Sequence, residues 1–361
     1  MKVLLVRCDR LGDLVLALPA IAWLRAARPA WEIHALVAAH AVPVVENDPA
    51  IDAFYTWEGQ ADAELIRRLQ AERYDAAVLL QYQMPLARLL RAARIGRSYG
   101  PLSKWTSWLL LNRGSWQRRS RASRHESQLN VDLVRRLAGR AGGAGGAAAA
   151  ARSAGGILPP RLHLNQEQRR LGRRFREQEA GAADVVAFVH PGSGGSALDW
   201  PAASFAAVAN DLAARRGWRV FVTGSHHDRP AIDAMAPHLS PQVAVVAERF
   251  PLRDFLGVLS AGDLLIAPST GPLHLAAALD LAAVGVYPPA PTMSPRRWGP
   301  LGRWARAIVP PVECPSRRHC LQSSCLFYNC LEAVLSAQVI ELATALVAAR
   351  RQELAGTARS D

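Results

Sequence analysis

Short apolar runs alternating with periodic, half-polar segments appear twice along this chain, once on each side of a Gly/Ala-rich stretch, and few folds accommodate that repetition. The opening run KVLLVR reads as a strand, followed by a polar turn and a helix expected over Leu14 to Ala27, which Arg28-Pro29 closes. Further strands are expected at Trp31 to Val37 and Ala76 to Leu80, with helices such as Ala63 to Glu72 between them. Strands that are apolar throughout and separated by helices pair in parallel, because each crossover returns the chain to the same end of the sheet.

Residues 138 to 160, AGRAGGAGGAAAAARSAGGILPP, break the pattern and make a flexible linker the expected boundary between a domain over 1–160 and another over 161–361. At 361 residues the chain exceeds the size at which a single core stops growing. Beyond the linker come expected helices Asn165 to Glu179, Ala202 to Arg215, Arg229 to Leu239, Leu252 to Ser260 and Pro272 to Leu279. They alternate with expected strands Val185 to His190, Arg219 to Thr223, Val243 to Val246, Leu264 to Ala267 and Ala283 to Tyr287. The fold class that follows is α/β: two doubly wound Rossmann-like domains facing across a cleft, the GT-B architecture. An amphipathic helix over Gln338 to Arg350, with Val339, Leu342, Leu346 and Val347 on one side, is expected to pack on a core.

Arg7, Asp9, Arg10 and Asp13 interrupt the first apolar stretch, and Pro268, Pro272, His274 and Asp280 interrupt the one from Leu264 to Val286. Neither reads as a signal peptide or membrane span, so the cytoplasm is the expected location. The net charge of +13 is uneven: residues 1 to 160 hold 22 Lys/Arg against 13 Asp/Glu, the remaining 201 hold 21 against 17. Eight cations and no acid fall between Arg94 and Arg124, among them Arg97, Lys104 and Arg118, with Tyr99, Trp105, Trp108 and Trp116 interleaved. Such a run is either a solvated cationic loop or a surface for anionic headgroups and acidic sugars. Nucleic acid would also suit it, but no nucleic-acid motif accompanies it.

Three segments could carry chemistry. In DLLIAPSTGPLHLAAAL a buried strand runs into Ser269-Thr270-Gly271 and a helix that Pro272 can open. Free amides and the positive helix end favour an anion such as a diphosphate there, the alternative being simple capping by Ser or Thr. HPGSGGSALDWP, residues 190 to 201, repeats the construction with Ser193 and Gly194 after a strand. Two such loops favour the anion reading. Asp13 stands in the turn Asp9-Arg10-Leu11-Gly12-Asp13, either as a helix cap or as a general base that takes the proton of an attacking hydroxyl. The first turn lacks G-x-G-x-x-G, which speaks against a dinucleotide-dependent dehydrogenase.

Taken together, RLGDLVLALPAI, HPGS followed by Trp200-Pro201, STGPLHLAAAL, RIGRSYG at 94 to 100, His125-Glu126 and RWGP at 297 to 300 resemble glycosyltransferase family 9, the ADP-heptose:lipopolysaccharide heptosyltransferases. The resemblance implies inverting transfer of a heptose or related sugar from an ADP-sugar to a lipopolysaccharide core or other acidic glycan, with no catalytic metal and no cofactor beyond the nucleotide sugar. It implies an acceptor-binding first domain and a nucleotide-sugar-binding second one. Asp13 would be the base, with Arg10, Gly12, Arg97, Lys104 and Arg118 positioning the acceptor. Ser193, Gly194, Ser269, Thr270, Gly271, Pro272 and His274 would meet the donor phosphates, and Asp228 the ribose. A monomer peripheral to the cytoplasmic face of the inner membrane, not bound to nucleic acid, is the expected state. Where many members carry a cation this chain has Leu198, and where they often carry Asp it has Ser269. A missing cation would weaken stabilisation of the leaving diphosphate unless Arg296, Arg297 or Arg10 replaces it. These departures leave a second reading, a weakly active or non-catalytic nucleotide- or glycolipid-binding protein.

Cys314, Cys320, Cys325 and Cys330 are spaced C-x5-C-x4-C-x4-C, a partial match to zinc-ligand spacing. Thiols packing a C-terminal loop and a structural metal or iron–sulfur site are the competing expectations.

Overall fold

The computed structural model describes residues 1–59, 62–139, 158–195, 198–316, 320–321, 324–325, 327 and 329–357. Most of the expected linker, and His319 beside Cys320, lie outside them. The chain divides into two compact units, Met1–Arg119 with Arg124–His163, and Ser120–Ser123 with Leu164–Asp361.

In the first unit the elements are β1 (Lys2–Arg7), α1 (Leu11–Val15), α2 (Leu18–Ala27), β2 (Glu32–Ala38), β3 (Ala53–Trp57), α3 (Ala63–Ala71), β4 (Ala76–Leu79), α4 (Met84–Ala92), β5 (Ser98–Pro101), α5 (Trp105–Leu110), β6 (Arg113–Ser115) and α6 (Glu126–Ala138). The strands are parallel in the order β3-β2-β1-β4-β5-β6. The expected helix Leu14 to Ala27 is two helices. Pro19 has no N–H to donate, so the chain breaks at Leu16–Ala17 and restarts with the proline in the first turn of α2. Val3 to Val6 and Ala76 to Leu79 are almost wholly buried, as central parallel strands must be when helices cover both faces.

In the second unit they are α7 (Gln166–Phe175), β7 (Val185–Val189), α8 (Ala202–Ala213), β8 (Trp218–Val222), α9 (Arg229–Met235), β9 (Ala244–Val245), α10 (Leu252–Ser260), β10 (Leu264–Pro268), α11 (Gly271–Ala278), β11 (Ala282–Val286), α12 (Pro295–Trp298), β12 (Ala305–Ile308) and α13 (Ser336–Thr357). The order β12-β11-β10-β7-β8-β9 repeats that of the first sheet. Helix α13 buries Val339, Ala343, Leu346 and Val347 in the same apolar cluster as Phe205, Val284 and Trp200. The Trp200 indole donates to the Val334 carbonyl at 3.1 Å, which fixes the end of the 190–200 loop from beneath. No helix among the described residues is long and apolar enough to cross a membrane.

Candidate active site

In each sheet the strand order reverses once, between β1 and β4 in the first and between β7 and β10 in the second. At such a reversal neighbouring connections leave toward opposite faces, so the carboxyl ends of the two strands open a crevice where doubly wound sheets bind ligands. The sequence-predicted segments sit at these ends: the Asp9–Asp13 turn after β1, residues 190–195 after β7 and Ser269-Thr270 after β10.

In the first unit the last residue of β1, Arg7, is buried and organises the turn. Its guanidinium donates to Asp9 at 2.6 Å, meets Asp13 at 3.2 Å and Glu126 at 3.1 Å, and donates to the side-chain Oδ1 of Asn130 at 3.4 Å. Asp13 lies in the first turn of α1, whose N-cap is Arg10, so it does not cap the helix. Burial is the largest influence on its carboxyl and pushes the pKa up to about 6; Arg7 opposes this, while Asp9 and Glu126 add to it. An acid tuned to that range is ionised at neutral pH and a stronger base than an ordinary carboxylate. Gly12 beside it is buried and Arg10 exposed.

Arg119 corrects the reading of the basic run. It is buried, bonded to Glu126, to Gln81 at 3.0 Å and to the Leu80 carbonyl at 2.7 Å, and so belongs to this polar cluster rather than to a cationic face. Arg97, Lys104 and Arg118 are exposed. The Arg97 Nε donates to the Asp75 carbonyl at 3.0 Å, and Lys104 stands 6.0 Å over the Tyr82 ring.

In the second unit Thr270 is the N-cap of α11, with φ −142° and ψ 167°, but its side chain makes no capping hydrogen bond. The capping alternative therefore fails for the Thr270 side chain, and the amides at a helix start are a favourable setting for an anion. Pro272 is in the first turn, and Thr270 and His274 are buried. The Ser269 hydroxyl bonds the buried Tyr287 phenol, which in turn donates to the Trp298 carbonyl at 2.7 Å. The turn is thus tied to the RWGP stretch, in which Arg297 stacks 4.3 Å from the Trp298 ring centre.

The companion loop is built around Asp228. Its carboxylate accepts from the Ser225 amide and hydroxyl, each at 2.8 Å, and lies 3.5 Å from His190 Nε2. His190 is also 3.2 Å from the Thr223 hydroxyl, and burial lowers its pKa against the pull of Asp228. Gly192 packs on that carboxylate so closely that a Cβ there would stand 2.3 Å from Oδ1. Gly194 and Gly195 take φ of +54° and +73°, left-handed values that turn the loop and that glycine adopts freely. Ser193 is buried, and its hydroxyl and amide bond Asp199, whose carboxyl partial burial raises. Asp199, His190 and Tyr287 were missed from sequence, as were Arg7 and Arg119. The only local signal was their adjacency to recognised motifs.

The four cysteines line one cavity of about 320 Å³ together with Leu198, Asp199 and Pro288 to Ala290. Among the described residues the one group of three His, Cys, Asp or Glu ligand atoms lying within 4.8 Å of one another is Glu32, His34 and Glu72. The thiols thus share a cavity without meeting at a point. The two glutamates of that other group both bind the Lys2 ammonium, at 2.9 and 2.6 Å, so it already has its cation.

Comparison with known proteins agrees with this construction. The profile of glycosyltransferase family 9 (heptosyltransferase) matches residues 63–326. A protein of Haemophilus influenzae with a provisional glycosyltransferase assignment is 30% identical over 307 residues, covering 83% of this chain and 86% of that one. The structure of E. coli ADP-heptose lps heptosyltransferase II matches with a TM-score of 0.76 at 20% identity, over 97% of this chain and all of that one. A family 9 glycosyl transferase of Veillonella parvula gives 0.75 at 20% identity, over 96% and 97% of the two chains. The likeness to these structures establishes the GT-B fold.

Proposed function

The chain belongs to glycosyltransferase family 9, and from that premise we propose that it moves a heptose or related sugar from an ADP-sugar to a lipopolysaccharide core or another acidic glycan, with inversion at the anomeric carbon. In this reading the acceptor hydroxyl oxygen attacks the anomeric carbon as Asp13 takes its proton. The bond from that carbon to the diphosphate oxygen breaks, and ADP leaves carrying the electron pair. The developing charge is met by the amides at the start of α11, by Thr270 and by the 192–195 loop, preorganised donors that need no reorientation during reaction. Asp228 serves the donor by shaping the glycine loop, with the ribose as its expected contact. No metal takes part in the transfer, and the enzyme works as a monomer at the cytoplasmic face of the inner membrane. The observation that carries the reading is the pair of loops at the β7/β10 reversal, one opening a helix without a side-chain cap and one holding a glycine against Asp228.

Turnover of ADP-, UDP- and GDP-sugars by the natural chain and by Asp13→Ala tests it. Asp13-dependent release of ADP from an ADP-sugar, with chelator present, is expected. Donor binding without Asp13-dependent turnover would support the non-catalytic alternative, for which Leu198 and Ser269, the two departures from the family resemblance, speak.

A further inference from the structure

Helix α5 is built inside out. Ser107 is fully buried, while Trp105, Trp108 and Leu109, at positions i, i+3 and i+4 of one face, are 76%, 59% and 66% exposed. Trp116, in the segment after β6, is 58% exposed and holds its ring 6.3 Å from that of Trp108. The outward pose is anchored from below, since the Ser107 hydroxyl donates to the Lys104 carbonyl and Arg91 donates to the Leu109 carbonyl at 3.3 Å. Exposed apolar groups gathered this way on one fixed helix face mark an interaction surface. Arg91 (bonded to Leu109), Lys104 (the residue before Trp105) and Arg118 (5.9 Å over the Trp116 ring) are exposed beside them, exposed Arg113 lies three residues before Trp116 in sequence, and no acid occurs from residue 94 to 124.

We propose that Trp105, Trp108, Leu109 and Trp116 form a wedge that seats the first unit in the interface of an anionic phospholipid bilayer, with the four cations on headgroup phosphates. An indole has an apolar body and one N–H donor, a combination satisfied at the depth where acyl chains meet headgroups. The surrounding cations match a negative leaflet and attract the protein to it. Single-stranded nucleic acid would use the rings as stacking platforms, but Leu109, as exposed as the rings, cannot stack on a base and can enter acyl chains. The inference deepens the reading of the acceptor as a membrane glycolipid, and its test is independent of transfer.

Full-length protein is mixed with vesicles of phosphatidylcholine alone or with phosphatidylglycerol, with and without brominated acyl chains, and with single-stranded RNA as competitor. Binding to phosphatidylglycerol vesicles that salt weakens, and quenching of tryptophan fluorescence by brominated chains, are expected. A Trp105→Ser/Trp108→Ser double variant should partition about tenfold or more weakly. Trp108→Phe, which keeps the apolar body, should retain most of the binding, and all variants should keep the far-ultraviolet circular dichroism of the natural chain. Equal partitioning of natural and double-variant protein, unchanged fluorescence with brominated lipid, or displacement of the protein from vesicles by RNA would overturn the proposal. Vesicle binding with no transfer to a water-soluble acceptor fragment would instead leave the wedge standing and sink the functional reading.

Discussion

At the scale of single residues the site is held by opposed charges. Asp13 shares Arg7 with Asp9 and Glu126, so Arg7 cannot fully compensate the burial that raises Asp13 to about 6. If Asp13 is the base, kcat/KM should rise as pH passes through about 6 and then level, and Asp13→Asn should lower kcat by about 10²- to 10⁴-fold. Stability should respond oppositely. Between the ordinary carboxylate pKa and about 6 the native state keeps a proton that the unfolded chain has lost, so Asp13 disfavours folding increasingly across that window and fully above it. Asp13→Asn is therefore expected to stabilise the fold by about 1–3 kcal/mol at neutral pH and to give no gain below about pH 4. Denaturant titrations at both pH values measure this, and equal destabilisation at both would mean the carboxylate is a structural anchor for Arg7. At Gly192 the argument is steric. Asp228 is fixed by two bonds from Ser225, so Gly192→Ala must displace the loop, raising the donor KM by about tenfold and costing about 1–3 kcal/mol in thermal stability.

At the scale of elements the start of α11 separates a cap from a ligand site. Replacing a working Ser or Thr cap with Ala costs about 0.5–2 kcal/mol. Thr270 makes no capping bond, so Thr270→Ala should leave the melting temperature nearly unchanged while donor KM rises; a melting loss with unchanged KM would restore the capping role. This feature was half legible. The run LLIAPSTGPLHL shows a buried strand turning into a proline-opened helix, because parallel central strands are apolar throughout, but only coordinates show that the threonine hydroxyl is not spent on the helix. The central strands of both sheets were readable for the same reason. The short strands β5, β6 and β12, with sequences SYGP, RGS and ARAI, were not: β6 and β12 are edge strands with one open side, and β5, though paired on both sides, is four residues that include a glycine and a proline, so none of the three carries an apolar run. Arg119 was misread because its partners Glu126, Gln81 and Leu80 come from other elements, so its neighbours in sequence show only a basic run. Likewise six residues of α5 show a periodic apolar face, but periodicity alone does not say whether that face points in or out.

At the scale of the whole molecule the excess positive charge and the anion loops answer to different physics. Of the net +13, the first 160 residues hold 22 cations against 13 acids, most of the excess, and Arg91, Arg97, Lys104, Arg113 and Arg118 among them are exposed. Attraction between such side chains and an anionic acceptor acts through solvent, where screening reaches about 8 Å at physiological salt and about 3 Å at 1 M. In the second unit the segment 190–201 carries no Lys or Arg, and the anion is expected to meet amides and hydroxyls at close range, partly out of solvent. Close contacts of that kind are screened much less. Raising salt from about 0.05 to about 0.5 M should therefore lift the acceptor KM by about tenfold while the donor KM changes less than about twofold. Steady-state kinetics with each substrate varied in turn decides this. A matched rise in donor KM would mean that the diphosphate is held by a solvent-screened cation, with exposed Arg296 and the ring-stacked Arg297 of α12 the first to replace with Ala.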